Sequence, residues 1–319
     1  MKRIAIFEDE LKASIIDRMS GDYGDNEFFI KRDDLIPFSF GGCKVRKARE
    51  YYKDIVQKDA DVIMTYGSRG SNHCRVISNM ACLMGIDCHI ISPRSNFKPH
   101  FGSKLQESFG ALTEVCPLDK VAETIDNRKD AFIKEGRKPY FIMGGGNGPI
   151  GTGAYVKAYS EILLYEKEKG ISFDYIFLAS GTSGTQAGLI CGRILNREGT
   201  EDDHRIVGIS IARDKERGTE AVRESVEACL GPDKSGLVRD DDIIFTDSYL
   251  GEGYGQYDPR VDETIDKVMK EDGIPLDATY TGKAFMGMTR YLKKAGISGK
   301  RILFIHTGGT PLYFDHLSE

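Results

Sequence analysis

The chain has 319 residues, of which 40% are hydrophobic and 29% are charged, and its formal net charge is -5. This composition supports a large buried core divided over about two domains of ordinary size, and it argues against extensive disorder. The acidic balance argues against a nucleic-acid-binding protein, which usually carries a strong excess of basic residues.

The cysteines and the N-terminus indicate where such a protein works. The 7 cysteines are scattered and include no Cys-x-x-Cys pair, which is typical of reduced thiols in a cytoplasmic protein rather than of a disulfide framework or a zinc site. No apolar run reaches the roughly 20 residues that span a bilayer, and the N-terminal MKRIAIFEDELKASI turns acidic too early for a secretory signal. We therefore expect a cytoplasmic protein with no metal site, no membrane contact and no nucleic-acid partner.

Short runs that are apolar throughout predict parallel strands that are covered on both faces. In chain order they lie at 61–66, 88–92, 140–144, 174–179, 205–211, 242–246 and 301–306. Segments with helical periodicity lie between most of them, at 44–56, 71–84, 153–170, 184–195 and 282–294. Ser71 is expected to cap the second of these helices and Gly85 to end it. The alternation of strands and helices predicts an α/β fold.

Glycine-rich turns follow four of the predicted strands, which is where open α/β sheets bind their ligands. They read GSRGSNH at 67–73, GGNGPIGTG at 145–153, SGTSGTQAG at 180–188 and TGGT at 307–310. In SGTSGT the glycines allow a close approach of the backbone, the hydroxyls add donors, and the following helix start adds oriented N–H groups. The segment therefore favours a phosphate cradle, although a turn that merely needs glycine has the same appearance.

A dinucleotide site is the competing interpretation of these turns. Gly146, Gly148 and Gly151 match G-x-G-x-x-G, but the next predicted strand ends in Ala179-Ser180-Gly181 without the acidic residue that would bind a ribose hydroxyl. A nicotinamide-dependent oxidoreductase is therefore the weaker alternative.

Lys44 follows two glycines at the start of a predicted helix. A helix N-terminus disfavours an ammonium group and leaves more of the nucleophilic free amine. The alternative is that Lys44, Arg46, Lys47 and Arg49 form an ordinary solvated basic face.

The motifs taken together fit one cofactor, because pyridoxal phosphate needs a lysine imine, a phosphate cup and partners for its ring. The ordered set IKRDDL, GGCKVRK, GSRGSNH, SGTSGTQAG, GEGYG, YTGKA and HTGGTP, between about residues 30 and 314, resembles the fold-type II pyridoxal-phosphate enzymes. The resemblance is greatest to the D-cysteine desulfhydrase and 1-aminocyclopropane-1-carboxylate deaminase family. It implies a tryptophan synthase β-like fold with parallel sheets flanked by helices. It also implies a large domain of residues 1–46 and 152–319, a small inserted domain of residues 47–151, and an active site in the cleft between them.

The same resemblance implies which residues bind the cofactor. Lys44 would form the imine and move the substrate's Cα proton, Asn72 would hydrogen-bond the ring hydroxyl, and Thr307 would approach the pyridine nitrogen. The phosphate would be held by Gly181, Thr182, Ser183, Gly184 and Thr185.

Substrate contacts are implied in the same way. Ser71 and His73 would face the substrate carboxylate, Tyr280 would stack near the ring or contact the substrate, and Tyr254 would line the substrate side. With Lys44, the residues Ser71, Tyr254 and Tyr280 are the expected catalytic set. The expected reaction is β-elimination from a small amino acid by a homodimeric lyase, with D-cysteine giving pyruvate, sulfide and ammonia.

Three positions depart from the family pattern. Aminocyclopropane deaminases carry Glu directly after the tyrosine that matches Tyr280, whereas this chain has Thr281, which argues against opening of a cyclopropane ring. Cys43 replaces the usual Asn before the lysine and is expected to pack as a small hydrophobe. Arg69 is either a solvated loop charge or a grip for an extra anionic group on a larger substrate.

Other outcomes of the same chemistry stay open from the sequence. A racemase and a β-replacement synthase share the lysine and differ only in the step after removal of the proton. A protein that binds the cofactor or a metabolite without turnover is a further alternative.

Overall fold

The computed structural model describes residues 1–94, 101–197, 204–256 and 258–317. The chain forms two compact units. The smaller unit comprises Met1–Lys12, Pro37–Ser39 and Lys44–Asn147, and the larger unit comprises Ala13–Ile36, Phe40–Cys43 and Gly148–Glu319. These units place residues 1–12 with the smaller one, whereas the expected large domain included them; the domain boundaries at 46 and 151 stay a prediction.

The strands, in chain order, are β1 (Ile16–Arg18), β2 (Glu27–Lys31), β3 (Val62–Tyr66), β4 (Asp87–Pro93), β5 (Leu112–Cys116), β6 (Pro139–Ile142), β7 (Tyr175–Ser180), β8 (Arg205–Ser210), β9 (Ile244–Thr246) and β10 (Arg301–Ile305). The helices are α1 (Ala5–Glu8), α2 (Cys43–Gln57), α3 (Asn72–Met84), α4 (Phe101–Ser108), α5 (Val121–Lys134), α6 (Pro149–Lys169), α7 (Gly184–Asn196), α8 (Lys215–Leu230), α9 (Pro259–Asp272), α10 (Thr281–Lys294) and α11 (Thr310–His316). Short 3-10 turns lie at Asp33–Leu35, Leu118–Lys120, Gly144–Gly146, Ser235–Leu237 and Asp240–Asp242.

The sheet of the larger unit has the strand order β1-β2-β10-β7-β8-β9, and all its pairs are parallel except β1 with β2. Its central strands are buried on both faces. Ile176 and Leu178 of β7 pack with residues of α6 and α7, while Phe177 packs with residues of α9 and α10. This two-sided burial is the physical reason that these strands read as continuous apolar runs.

The sheet of the smaller unit has the strand order β5-β4-β3-β6 and is parallel throughout. Met64, Ile91 and Cys116 form a buried cluster on it, against partly buried side chains of α5. Helix α3 begins and ends where the sequence predicts, because the Ser71 hydroxyl accepts the Cys74 N–H and Gly85 adopts a left-handed conformation with φ of 66°.

The α/β fold with parallel sheets flanked by helices is confirmed, and each of the seven predicted strands is present within one or two residues of its expected ends. Within the described ranges, no helix combines the length and the apolarity that crossing a membrane requires.

Candidate active site

Two of the glycine-rich turns of the larger unit lie at one edge of its sheet. Strands β7 and β10 are parallel neighbours, with Ile302 opposite Tyr175. The turns after their carboxyl ends, at 181–185 and 307–309, therefore emerge on the same side.

The SGTSGT turn after β7 combines an unusual backbone conformation at Ser183 with a close approach of another side chain at Gly181. Ser183, the residue before α7, is buried and has a φ of 70°, in the left-handed region that a non-glycine residue rarely occupies. A Cβ on Gly181 would lie 2.9 Å from the Ile211 side chain, so only glycine fits without a shift. Helix α7 then starts at Gly184 with Thr185 in its first turn.

Three observations show that this turn fits a phosphate ester. The Ser183 hydroxyl donates to the Thr182 carbonyl and lies 2.8 Å from the Ser225 hydroxyl, and in the described part of the chain its side chain does not cap α7. The Ser180 Oγ atom is buried and has no hydrogen-bond partner among the described residues. The Arg213 guanidinium donates to the Gly181 carbonyl. An uncapped helix start, a hydroxyl without a partner and a nearby cation are the features that stabilise a bound anion.

The two predicted tyrosines lie together in the larger unit. The Tyr254 and Tyr280 hydroxyl oxygens are 2.5 Å apart, and the rings meet edge to face with centroids 5.9 Å apart. Burial, together with the charge and hydrogen bond of Tyr254, raises the pKa of Tyr280 well above its ordinary value. The Tyr280 phenol therefore keeps its proton at neutral pH.

Thr281 has a structural role beside this pair. Its Oγ1 donates to Asp277 Oδ2 at 2.8 Å and accepts from the Asp277 N–H at 2.9 Å. The Asp277 carboxylate also accepts the N–H groups of Thr279, Tyr280 and Thr281, so it caps the start of α10. The hydroxyl that stands in the place of the deaminases' glutamate is therefore used within the helix cap.

The turn after β10 lies against the segment that leads to Lys44. The Thr307 carbonyl accepts the Cys43 N–H at 2.9 Å, and a Cβ on Gly42 would lie 2.7 Å from the same oxygen. His306, which is fully buried, donates from Nε2 to the Pro275 carbonyl and accepts the Gly308 N–H at Nδ1, which gives it a local structural role. Cys43 is 7% exposed and belongs to the hydrophobic core of this unit, in agreement with the packing interpretation.

Lys44, the next residue, lies in the first turn of α2 and is assigned to the smaller unit. Its Nζ donates to the Gly145 carbonyl at 2.9 Å. The basic residues that follow it do not form a solvated face, because Arg46, Lys47 and Arg49 are 2%, 1% and 4% exposed. The expectation of a solvated basic face is therefore wrong for these three residues, because buried cations are normally paired within the protein.

His73 lies close to this lysine and is almost fully buried. Thr65 Oγ1 donates to the Ile142 carbonyl, so its contact of 2.8 Å with His73 Nε2 requires the histidine to be the donor. Burial, reinforced by the charges of Lys44 and Lys47, holds the pKa of His73 well below its ordinary value. The histidine is therefore neutral with its proton on Nε2, and its expected contact with substrate stays a prediction.

The GSRGSNH turn is held from two sides within the smaller unit. Gln106 of α4 donates to the backbone carbonyls of Arg69 and Ser71, at 3.0 and 3.4 Å. The Arg69 side chain is exposed, and Asn72 receives a hydrogen bond from Arg75 at 3.2 Å. Ser71 caps α3 and Asn72 begins it, which places both at the carboxyl end of β3 as expected.

Sequence reasoning missed three cations that hold these elements. Arg213 contacts the phosphate turn, Arg75 contacts Asn72, and Lys283 donates to the carbonyls of Leu250 and Gly253 in the segment that carries Tyr254. Arg75 and Lys283 each lie three residues after a predicted site residue, on the same helical face, which is the signal that could have found them.

The glycines that matched the dinucleotide pattern do not form a strand-turn-helix unit. Strand β6, which precedes them, belongs to the smaller unit, whereas α6, which follows them, belongs to the larger one. Gly146 instead lies beside Lys47 and His73, since a Cβ there would be 3.3 Å from the Lys47 side chain and 3.5 Å from His73 Nδ1. The oxidoreductase alternative loses its only support.

Comparison with known sequences gives matches that cover most of this chain. The family model described as "Pyridoxal-phosphate dependent enzyme" matches residues 14–308. A putative 1-aminocyclopropane-1-carboxylate deaminase of Pyrococcus furiosus is 36% identical over 292 residues, which are 89% of this chain and 84% of the relative. A D-cysteine desulfhydrase of Salmonella paratyphi A is 31% identical over 309 residues, which are 92% of this chain and 90% of the relative.

A solved structure agrees with the sequence relatives. The crystal structure of an ACC deaminase homologue superposes with a TM-score of 0.84 at 32% identity and covers 98% of this chain and 97% of its own. These matches confirm the family, the fold class and the cofactor that the motifs indicated, and the phosphate turn fits that cofactor. The chain belongs to the family of pyridoxal-phosphate dependent enzymes.

Proposed function

We propose that this enzyme is a lyase that removes the Cα proton of a small amino acid and eliminates its β-substituent. Elimination releases the β-substituent and an unsaturated amine, and water then hydrolyses that amine to a keto acid and ammonia; with D-cysteine the final products are pyruvate, ammonia and sulfide. The relatives named D-cysteine desulfhydrase and putative 1-aminocyclopropane-1-carboxylate deaminase support a reaction that starts at an amino-acid Cα.

Several groups of the chain are suited to hold pyridoxal phosphate. The N–H groups at the start of α7 and the Ser180 hydroxyl would bind the phosphate, with the charge of Arg213 nearby. Asn72 would donate to the ring oxygen, Thr307 would lie near the pyridine nitrogen, and the Lys44 amine would bind the aldehyde carbon.

When bound, this cofactor withdraws electrons from the Cα of an amino acid attached to it, so that the Cα–H becomes acidic. The Lys44 Nζ takes that proton. Ser71 and His73 would orient the substrate carboxylate, and Arg69 would reach any further anionic group on a larger substrate. The Tyr280 phenol, which keeps its proton at neutral pH, would donate a hydrogen bond to the departing β-substituent with Tyr254 beside it.

The observation that favours elimination over ring opening is the position after Tyr280. It holds Thr281, whose hydroxyl donates a hydrogen bond to Asp277 within the cap of α10. No carboxylate is therefore offered from this position to strengthen electron withdrawal by the ring, and β-elimination with a good leaving group needs less of it.

The test combines a cofactor spectrum with a product assay. The wild-type protein should bind pyridoxal phosphate with visible absorbance and release pyruvate from D-cysteine but no ammonia from 1-aminocyclopropane-1-carboxylate. Lys44→Ala should lose the visible absorbance and the turnover, whereas Lys53→Ala, an exposed lysine of the same helix, should keep both. Visible absorbance that survives in Lys44→Ala would sink the assignment of the lysine.

The same assay separates the alternatives. A screen of D- and L-amino acids in deuterated water should yield keto acid, whereas a racemase would return labelled amino acid and a β-replacement synthase would require a second nucleophile. A protein that only binds the cofactor would show the spectrum without turnover. The homodimer and the cytoplasmic location expected from the sequence stay proposals, the first to be tested by light scattering of the holoenzyme.

A further inference from the structure

Arg75 is a buried cation of α3 whose side chain joins two parts of the smaller unit. It is 1% exposed, and burial lowers the pKa of its guanidinium to about 10, so it stays charged at neutral pH. One of its terminal nitrogens donates to the Ser39 hydroxyl at 2.9 Å and to the Ser39 carbonyl. The other donates to Asn72 Oδ1 at 3.2 Å.

The contact with Arg75 determines which end of the Asn72 amide points where. A guanidinium has N–H donors and no acceptor, so the amide atom that faces it must be the oxygen. The Nδ2 group, with its two N–H donors, lies at the opposite end of the amide. Asn72 is therefore oriented as a donor towards whatever lies beyond it.

The contact with Ser39 lies in a strained segment that leads directly to Lys44. Phe38, Ser39 and Phe40 have φ angles of 112°, 44° and 59°, and Gly41 and Gly42 continue the run at 64° and 97°. Non-glycine residues rarely adopt this conformation, so such a run persists only where neighbouring contacts hold it. Arg75 supplies such contacts at Ser39 while it orients Asn72.

We propose that Arg75 is a positioning residue that holds Asn72 with its Nδ2 donor towards the ring oxygen of pyridoxal phosphate and thereby keeps that oxygen ionised. The inference rests on the proposed function for the place of the ring oxygen beside Asn72. An N–H donor favours the ionised form of an oxygen acid. The proton is then retained on the nitrogen that joins Lys44 to the cofactor, which is the form that absorbs visible light.

The experiment measures the spectrum and the affinity of the bound cofactor rather than turnover. The wild-type protein, Arg75→Met, Arg75→Lys and Asn72→Asp are each freed of cofactor and titrated with pyridoxal phosphate at about neutral pH. The ratio of visible to near-ultraviolet absorbance and the dissociation constant are recorded for each. Arg128→Met, which removes a partly exposed arginine of α5 in the same unit, is the control.

Arg75→Met should lose most of the visible share and bind the cofactor about tenfold more weakly, the loss of about one hydrogen bond to a charged group. Arg75→Lys, which keeps a donor for Asn72 Oδ1, should retain part of the visible absorbance and part of the affinity for the cofactor. Asn72→Asp keeps an acceptor for Arg75 but offers the ring oxygen no N–H donor, so it should lose the visible share as well. Arg128→Met should match the wild type.

Two results would overturn the proposal. A visible share in Arg75→Met that equals the wild-type share would show that Arg75 only stabilises the fold. An equal share in Asn72→Asp would show that the ring oxygen does not depend on the Nδ2 donor. If Arg75→Met does not fold, the test is the comparison of the visible shares of Arg75→Lys and Asn72→Asp, and equal shares in these two variants would overturn the proposal. A wild-type protein that gains no visible band with pyridoxal phosphate overturns the proposed function together with this inference, whereas a wild-type band with unchanged variants overturns the inference only.

Discussion

The hydroxyl of Tyr254 lies 2.5 Å from the hydroxyl of Tyr280, although the two residues come from different elements of the larger unit. Tyr280 immediately precedes α10, while Tyr254 lies in the glycine-rich segment before α9. The pairing places two phenol hydroxyls together, and the raised pKa of Tyr280 keeps its proton available as a hydrogen-bond donor to a departing group.

Removal of the half-buried Tyr280 phenol should slow the chemical step. Tyr280→Phe should lower kcat with D-cysteine about 100-fold, the effect of losing one hydrogen bond to a developing negative charge, and leave the cofactor spectrum unchanged. Tyr254→Phe should have a smaller effect, because Tyr280 remains. Tyr291→Phe, a tyrosine of α10 that packs on Phe177, serves as the control. A wild-type kcat in Tyr280→Phe would exclude its role as the donor.

The segment that carries Tyr254 should depend on Lys283. This lysine is 1% exposed, and its Nζ donates to the carbonyls of Leu250 and Gly253 at 3.0 and 2.8 Å. Lys283→Met leaves both oxygens without this donor, so hydrogen exchange at residues 250–254 should become faster and kcat should fall.

Two comparisons check this explanation of Lys283. Lys293→Met, on the exposed side of the same helix, should change neither measurement. In a Tyr254→Phe background, Lys283→Met should lower kcat little further, because both changes act through the same hydroxyl. Fully additive effects of the two substitutions would contradict the explanation.

Arg213 should contribute to cofactor affinity. It donates to the Gly181 carbonyl and adds a positive charge beside the turn that fits the phosphate. Arg213→Met should raise the dissociation constant of pyridoxal phosphate about tenfold, equivalent to about 1.4 kcal/mol, with a smaller change at high salt. Arg217→Met, from an exposed arginine of α8, is the matched control, and an equal loss in both variants would show a general charge effect instead.

The buried His73 should make the cofactor-free protein less stable in acid. Its pKa is well below the ordinary value in the folded protein, so the unfolded chain binds the extra proton first as the pH falls. The neutral His73 contributes fully to the free energy of unfolding above about pH 6.5. Below that pH the contribution falls by at most about 1.4 kcal/mol per pH unit.

The measurement is the denaturant midpoint of the wild-type protein and of His73→Gln at about pH 7.5 and about pH 5.5. The glutamine amide can still donate to Thr65 but cannot take up a proton in this range. The variant should therefore lose less stability between the two pH values than the wild type. Equal losses would show that His73 does not titrate with a lowered pKa.

The amino-acid order alone is enough to predict the α/β alternation, the strands buried on both faces and the glycine turns at their carboxyl ends. Backbone conformation and two-sided burial leave local marks, because only certain residues fit them: Ser71 and Gly85 bound α3 as predicted, and β7 is apolar throughout. The predictions did not include β2, whose Lys31 is fully buried and pairs with Glu161 at 2.6 Å, 130 residues away. Nor did they include β5, an edge strand whose residues are largely exposed.

The partners of the charged side chains follow from the three-dimensional fold and not from their spacing along the chain. Lys44, Arg46, Lys47 and Arg49 fit a solvated stripe in sequence, yet three of them are buried. The partners of Arg213 and Lys283 lie about 30 residues from them along the chain. A long, flexible cation can reach any acceptor that the fold brings within its length, so sequence spacing gives little information about which acceptor it will meet.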